Sequence, residues 1–235
     1  MDNSVSYEEF SERAGVILSR IAEICRSCGR DPSSVRLMAV TKTHGVWAAE
    51  YAEKFGLAFV GENRVQEAEG KRTSSPGSPG IKWELIGSLQ SNKAKAAVAV
   101  FDRVQSVDSV KLAGELDKRA GQTGRILPVL LQVNAGRDPA KHGAEIEEAP
   151  ALLEAVLRLP NLKVDGLMTI APLSDDPDVA SRTFAALRDI RDALALRCGV
   201  PLSELSMGMS GDMDQAVREG STIVRIGTAL FGARG

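Results

Sequence analysis

A lysine stands directly after an apolar run in LMAVTKTHG, residues 37–45. Lys42 has two readings there. Strand ends meet water, and a solvated lysine suits such a place. Alternatively, the amine is wanted as a nucleophile. Two glycine-containing segments near the other end of the chain add to the question: SMGMSGD (206–212) and VRIGT (224–228). Glycine lets backbone N–H groups approach an anion, and Ser210 and Thr228 add hydroxyl donors. Ser210 fits a plain helix cap equally well, and Gly227 a plain chain turn. Arg225 narrows the choice. Alternation puts Ile223, Arg225 and Gly227 on one face of a strand, with Val224 and Ile226 on the other. The purely apolar face packs on helices, so Arg225 points inward, where a permanent cation needs a salt-bridge partner or a ligand acceptor.

Positioning these groups requires regular elements. Short apolar runs recur at Val35–Thr41, Ala58–Gly61, Trp83–Gly87, Arg103–Val107, Ile126–Val133, Leu162–Met168, Leu205–Met207 and Thr222–Ile226. Alanine-rich amphipathic segments separate them: Val46–Phe55, Asn92–Val100, Lys111–Ala120, Pro150–Leu157, Val179–Arg197 and Asp212–Glu219. Strands alternating with helices imply a parallel sheet. Eight units within 235 residues predict a single (β/α)₈ TIM barrel domain spanning residues 1–235, with Tyr7–Cys28 as an extra N-terminal helix. A doubly wound open sheet would carry GxGxxG after its first strand, and VTKTHG does not. In a barrel, function collects at the C-terminal strand ends. That rim gathers Lys42, Asn63, Asn134, Arg225 and the two glycine turns. An amine, an anion pocket and an inward cation call for an aldehyde, a phosphate and a ring acceptor. Pyridoxal 5′-phosphate carries all three.

Composition excludes other classes. A net charge of −2 and 43% hydrophobic residues give no reason to expect nucleic acid or an anionic membrane as partner. No apolar run approaches a membrane span, and the N-terminus MDNSVSYEEF is no export signal, so the cytoplasm is expected. Three cysteines make no disulfide framework, and the Cys25/Cys28 pair reads as incidental thiols on a helix. No metal site is expected: Asp175, Asp176 and Asp178 read as a helix cap. AGRDPAKHG (135–143) holds Arg137, Lys141 and His142 and reads as a solvated loop, although it has the charge to gather anions. TSSPGSPG (73–80) reads as a flexible loop before the third strand.

Six segments in order carry a resemblance running from about Val35 to Gly232: AVTKT, GENRVQE, ELIGSLQSNK, GLMTI, LSMGMSGDMDQAV and VRIGTALFG. Through them the chain resembles the pyridoxal phosphate homeostasis proteins, a cofactor-binding family whose fold is similar to the barrel domain of alanine racemase. The resemblance implies that Lys42 forms the internal aldimine, that Ser210, Gly227 and Thr228 hold the phosphate, that Arg225 faces the pyridine nitrogen, and that Asn63 lies beside the cofactor. It also suggests a monomer, with cofactor-dependent apoenzymes as recipients. One departure stands out: the family usually reads WHFIG where this chain reads WELIG, so a role of that histidine does not carry over to Glu84.

An arginine beside the pyridine nitrogen disfavours its protonation, and an unprotonated ring is a poorer electron sink. Racemases of the related fold are helped by a tyrosine from a second domain, for which this barrel leaves no room. Tyr7 and Tyr51 both fall in expected helices. The expectation is a carrier that buffers and delivers cofactor without a catalytic residue of its own. The alternative is a cofactor-dependent racemase or lyase.

Overall fold

The computed structural model describes residues 5–74 and 80–232. Its eight strands close a parallel barrel in chain order: β1 Arg36–Val40, β2 Phe59–Glu62, β3 Lys82–Leu85, β4 Arg103–Val107, β5 Leu127–Gln132, β6 Leu162–Met168, β7 Glu204–Ser206 and β8 Ile223–Ile226. Closure comes from β1 pairing with β8, Arg36 opposite Ile223 and Ala39 opposite Ile226. The helices among the described residues are α1 Tyr7–Ser27, α2 Trp47–Phe55, α3 Val65–Ser74, α4 Ala94–Val100, α5 Val110–Gln122, α6 Ala149–Val156, α7 Pro177–Cys198, α8 Met213–Arg218 and α9 Thr228–Phe231. The expected barrel with its extra N-terminal helix is what forms. Two helices, α3 and α9, were not expected from the sequence. Of the loop expected over 73–80, Thr73 and Ser74 instead end α3, and residues 75–79 lie outside the described residues.

Local chemistry sets the ends of α1. Ser6 Oγ accepts from the Glu9 N–H and Glu9 Oε2 accepts from the Ser6 N–H, a reciprocal cap on two otherwise orphaned donors. Gly29, at φ 71°, turns the chain away afterwards. The buried face of α1 is Phe10, Ala14, Ile17, Ile21 and Ile24, at helical spacing. Cys25 is buried beside them and Cys28 exposed, both as free thiols. Small residues such as Ala48, Ala52, Ala94 and Ala97 let the helices lie close on the strands. Two apolar layers result. The larger fills the space between strands and helices, whereas Met38, Val40, Phe59, Ile86 and Ile223 form a second cluster. Val224 and Ile226 belong to the first and Ile223 to the second, so the alternation read along β8 holds.

Candidate functional site

At the C-terminal ends of the strands lies a cavity of about 520 Å³, within the range of small-ligand sites. Lys42, Asn63, Ser210, Arg225, Gly227 and Thr228, all singled out from the sequence, border it together.

Lys42 leaves β1 through a constrained turn. Thr43 has φ 69°, a left-handed conformation that a β-branched residue rarely adopts. Both flanking peptides are held from α3. Lys71 Nζ donates to the Thr41 carbonyl (2.7 Å), and Glu67 Oε1 accepts the Thr43 N–H. Lys71 also reaches Glu62 (2.6 Å) and Glu67 (2.8 Å), so its ammonium is fully engaged. Burial pushes the Glu62 carboxyl up, opposed by Lys71 and Thr41, and its Oε2 finds no hydrogen-bond partner among the described residues. Asn63 reaches the cavity because β2 and β3 leave the barrel in contact. A Cβ on Gly87 would lie 2.3 Å from the Asn63 carbonyl oxygen, which only glycine permits.

Arg225 is 4% exposed. Its Nη1 donates to Ser206 Oγ and its Nη2 to the Thr169 carbonyl, each at 2.8 Å, and neither acceptor is charged. Burial pushes its pKa down to about 10, with Asp212 opposing, so the guanidinium stays cationic at neutral pH. The two glycine turns flank it. Ser210 is exposed and does not cap α8. Asp212 occupies the N-cap position, its Oδ1 accepting the Met209 N–H. Gly227 occupies the N-cap position of α9, where the first N–H groups lack intrahelical acceptors. A Cβ there would lie 3.3 Å from the Val40 carbonyl oxygen, so the turn sits against the end of the strand that carries Lys42.

Of the remaining placements, some differ from expectation and some match it. Asn134 turns into its own loop, bonding Asp138 and Glu145, and does not line the cavity. The loop read as solvated instead brings Lys141 and His142 to the cavity wall. His44 lines it too and ends an aromatic cluster, 4.9 Å from the Phe231 ring and 5.7 Å from Trp47. Tyr7 and Tyr51 pack on each other at 5.4 Å in the helical layer, and neither borders the cavity. Asp176 caps α7 by accepting the Asp178 N–H.

The chain matches the family described as alanine racemase, N-terminal domain, over residues 17–235. It is 42% identical over 224 residues to the pyridoxal phosphate homeostasis protein of Pseudomonas aeruginosa, covering 95% of each chain. To the protein of the same name from Aquifex aeolicus it is 40% identical, over 95% of this chain and 97% of the relative. PipY of Synechococcus elongatus, solved with PLP bound, superposes with a TM-score of 0.81 at 42% identity, over 90% of this chain and all of that one. The alanine racemase of Clostridium difficile, at 15% identity and a TM-score of 0.74, shares the fold over 92% of this chain and 56% of its own. From sequence and fold together, the chain belongs to the alanine racemase N-terminal domain family, among its pyridoxal phosphate homeostasis proteins.

Proposed function

We propose that this protein binds pyridoxal 5′-phosphate through Lys42 and holds it for delivery rather than for catalysis. The observation that carries the reading is that one cavity of about 520 Å³ is bordered by an amine, an inward cation and two glycine turns. This donor set fits the cofactor. Lys42 supplies the amine for a reversible covalent link at the aldehyde carbon. Ser210 and Thr228 contribute hydroxyls, and the Gly227 turn contributes backbone N–H groups, to a dianionic phosphate. Arg225 brings a fixed positive charge to the ring edge, and Asn63 borders the ring. When bound, the cofactor supplies an electron sink for carbanion chemistry. Arg225 weakens that sink by opposing ring protonation. This favours a holding role, as does the placement of both tyrosines away from the cavity.

The wild-type protein mixed with the cofactor is expected to absorb in the near-violet, and Lys42→Ala to lose that band. Borohydride reduction followed by mass measurement should leave a pyridoxyl-phosphate adduct on Lys42. A mutant that keeps an unchanged band would defeat the proposed linkage. Catalysis is read separately, by deuterium exchange at the α-carbon of a panel of amino acids. Exchange at catalytic rates favours a racemase or lyase over a carrier. The carrier reading includes a cytoplasmic monomer that reactivates cofactor-dependent apoenzymes. No helix among the described residues is long and apolar enough to cross a membrane.

A further inference from the structure

Arg225 is one end of a line of buried polar side chains that passes through the barrel. Its Nη1 donates to Ser206 Oγ (2.8 Å), Ser206 Oγ donates to Gln105 Oε1 (2.6 Å), and Gln105 Nε2 donates to Glu84 Oε2 (2.5 Å). Glu84 is fixed in turn by a two-point contact with Arg103, Nε to Oε2 at 2.9 Å and Nη2 to Oε1 at 2.8 Å. Exposures are 2% for Glu84, 8% for Arg103, 0% for Gln105 and Ser206, and 4% for Arg225, so water does not compete along the line. Glu84 and Arg103 also border a separate cavity of about 250 Å³ that Arg36 and Asp165 share, away from the Lys42 cavity.

The direction of the line matters. A hydroxyl rotates and an amide presents either of two ends, so Ser206 and Gln105 have no polarity of their own. A carboxylate held by arginine only accepts. Glu84 therefore receives the Gln105 amino group, which turns the amide oxygen to Ser206. The Ser206 proton then goes to Gln105, and its lone pair faces Arg225. Without the carboxylate, an inverted amide would present its amino group to Ser206, so that the Ser206 proton loses its acceptor and its oxygen is shared between two donors, which loosens the hold on Arg225. We infer that Glu84 is a positioning residue for Arg225, acting through Gln105 and Ser206, and so sets how the cavity meets the ring of its ligand. The ligand part of this inference rests on the cofactor reading above.

The test uses Glu84→Gln and Gln105→Leu. The second variant leaves the Glu84–Arg103 pair intact and guards against a folding failure of the first. In cofactor-free protein, the Arg225 guanidinium ¹⁵N–H signals should be slowly exchanging in the wild type and exchange about tenfold faster in both variants. Pyridoxal 5′-phosphate affinity should fall about tenfold, within the range of couplings between contacting residues, and Gln105→Leu should change it less than about twofold in an Arg225→Met background. An Arg225 signal equally protected in Gln105→Leu overturns the inference. So does an equal affinity loss with and without Arg225, which marks general loosening. A wild type with no cofactor-dependent absorbance and no adduct on Lys42 overturns the cofactor reading alone, and the guanidinium exchange still decides the positioning role.

Discussion

Thr43 sits where backbone strain aims a side chain. A non-glycine residue held at φ 69° costs about 1–3 kcal/mol and persists only where its surroundings over-determine it. Here the surroundings are Glu67 on its N–H and Lys71 on the preceding carbonyl. Burial alone would raise the Glu67 carboxyl, but Lys71 and the Thr43 N–H outweigh it and hold the group below its ordinary value of 4.5. The sign follows from linkage. A depressed carboxyl contributes stability that is present above its unfolded value and lost as pH falls through the folded one. Glu67→Gln is therefore expected to lower the urea midpoint at pH 7, with the gap to wild type narrowing below about pH 4.5. A gap that stays constant on acidification would show that the charge of Glu67 does not hold the turn.

Among elements, the contact between the ends of β2 and β3 is the most demanding. Gly87→Ala would press a methyl group onto the Asn63 backbone, so a stability loss of about 1–3 kcal/mol is expected together with weaker cofactor binding. Gly70→Ala in α3 meets nothing within 4 Å and should instead stabilise by about 0.5–1 kcal/mol. Equilibrium urea unfolding of both variants checks the contrast. The same two elements show how far the sequence was readable. All eight strands announced themselves through apolar runs, and β4 and β6 match their expected bounds. α3 did not, because VQEAEGKRTS buries only Val65, Ala68 and Lys71 and has almost no apolar stripe. The residues that border the cavity from strand ends and glycine turns, Lys42, Asn63, Ser210, Arg225, Gly227 and Thr228, were legible as candidates because their types are unusual there. Lys141 and His142 were not, since a loop has no period from which to read direction. Asn134 stands on the expected rim after β5, but a short amide at a strand end satisfies itself on its own loop as readily as it faces a cavity.

For the whole molecule, α1 is the element that a bare eightfold barrel does not need. Phe10 stacks on Phe231 of α9 at 5.3 Å and meets Phe55 of α2 at 6.0 Å, joining the first and last helices among the described residues. Phe10→Ala is expected to cost about 3–5 kcal/mol in urea unfolding, the range for a fully buried aromatic ring. A change under about 1 kcal/mol would show that α1 is an appendage and not part of the core.

The barrel interior differs from α1 in what it allows over generations. Aliphatic layers accept one branched residue for another of similar volume at small cost. Glu84, Arg103, Gln105, Ser206 and Arg225 satisfy one another, and replacing any one strands its neighbour. A change at one of these five positions therefore calls for a compensating change at its neighbour, and Glu84, where the family usually has histidine, sits with an arginine and an amide that suit a carboxylate.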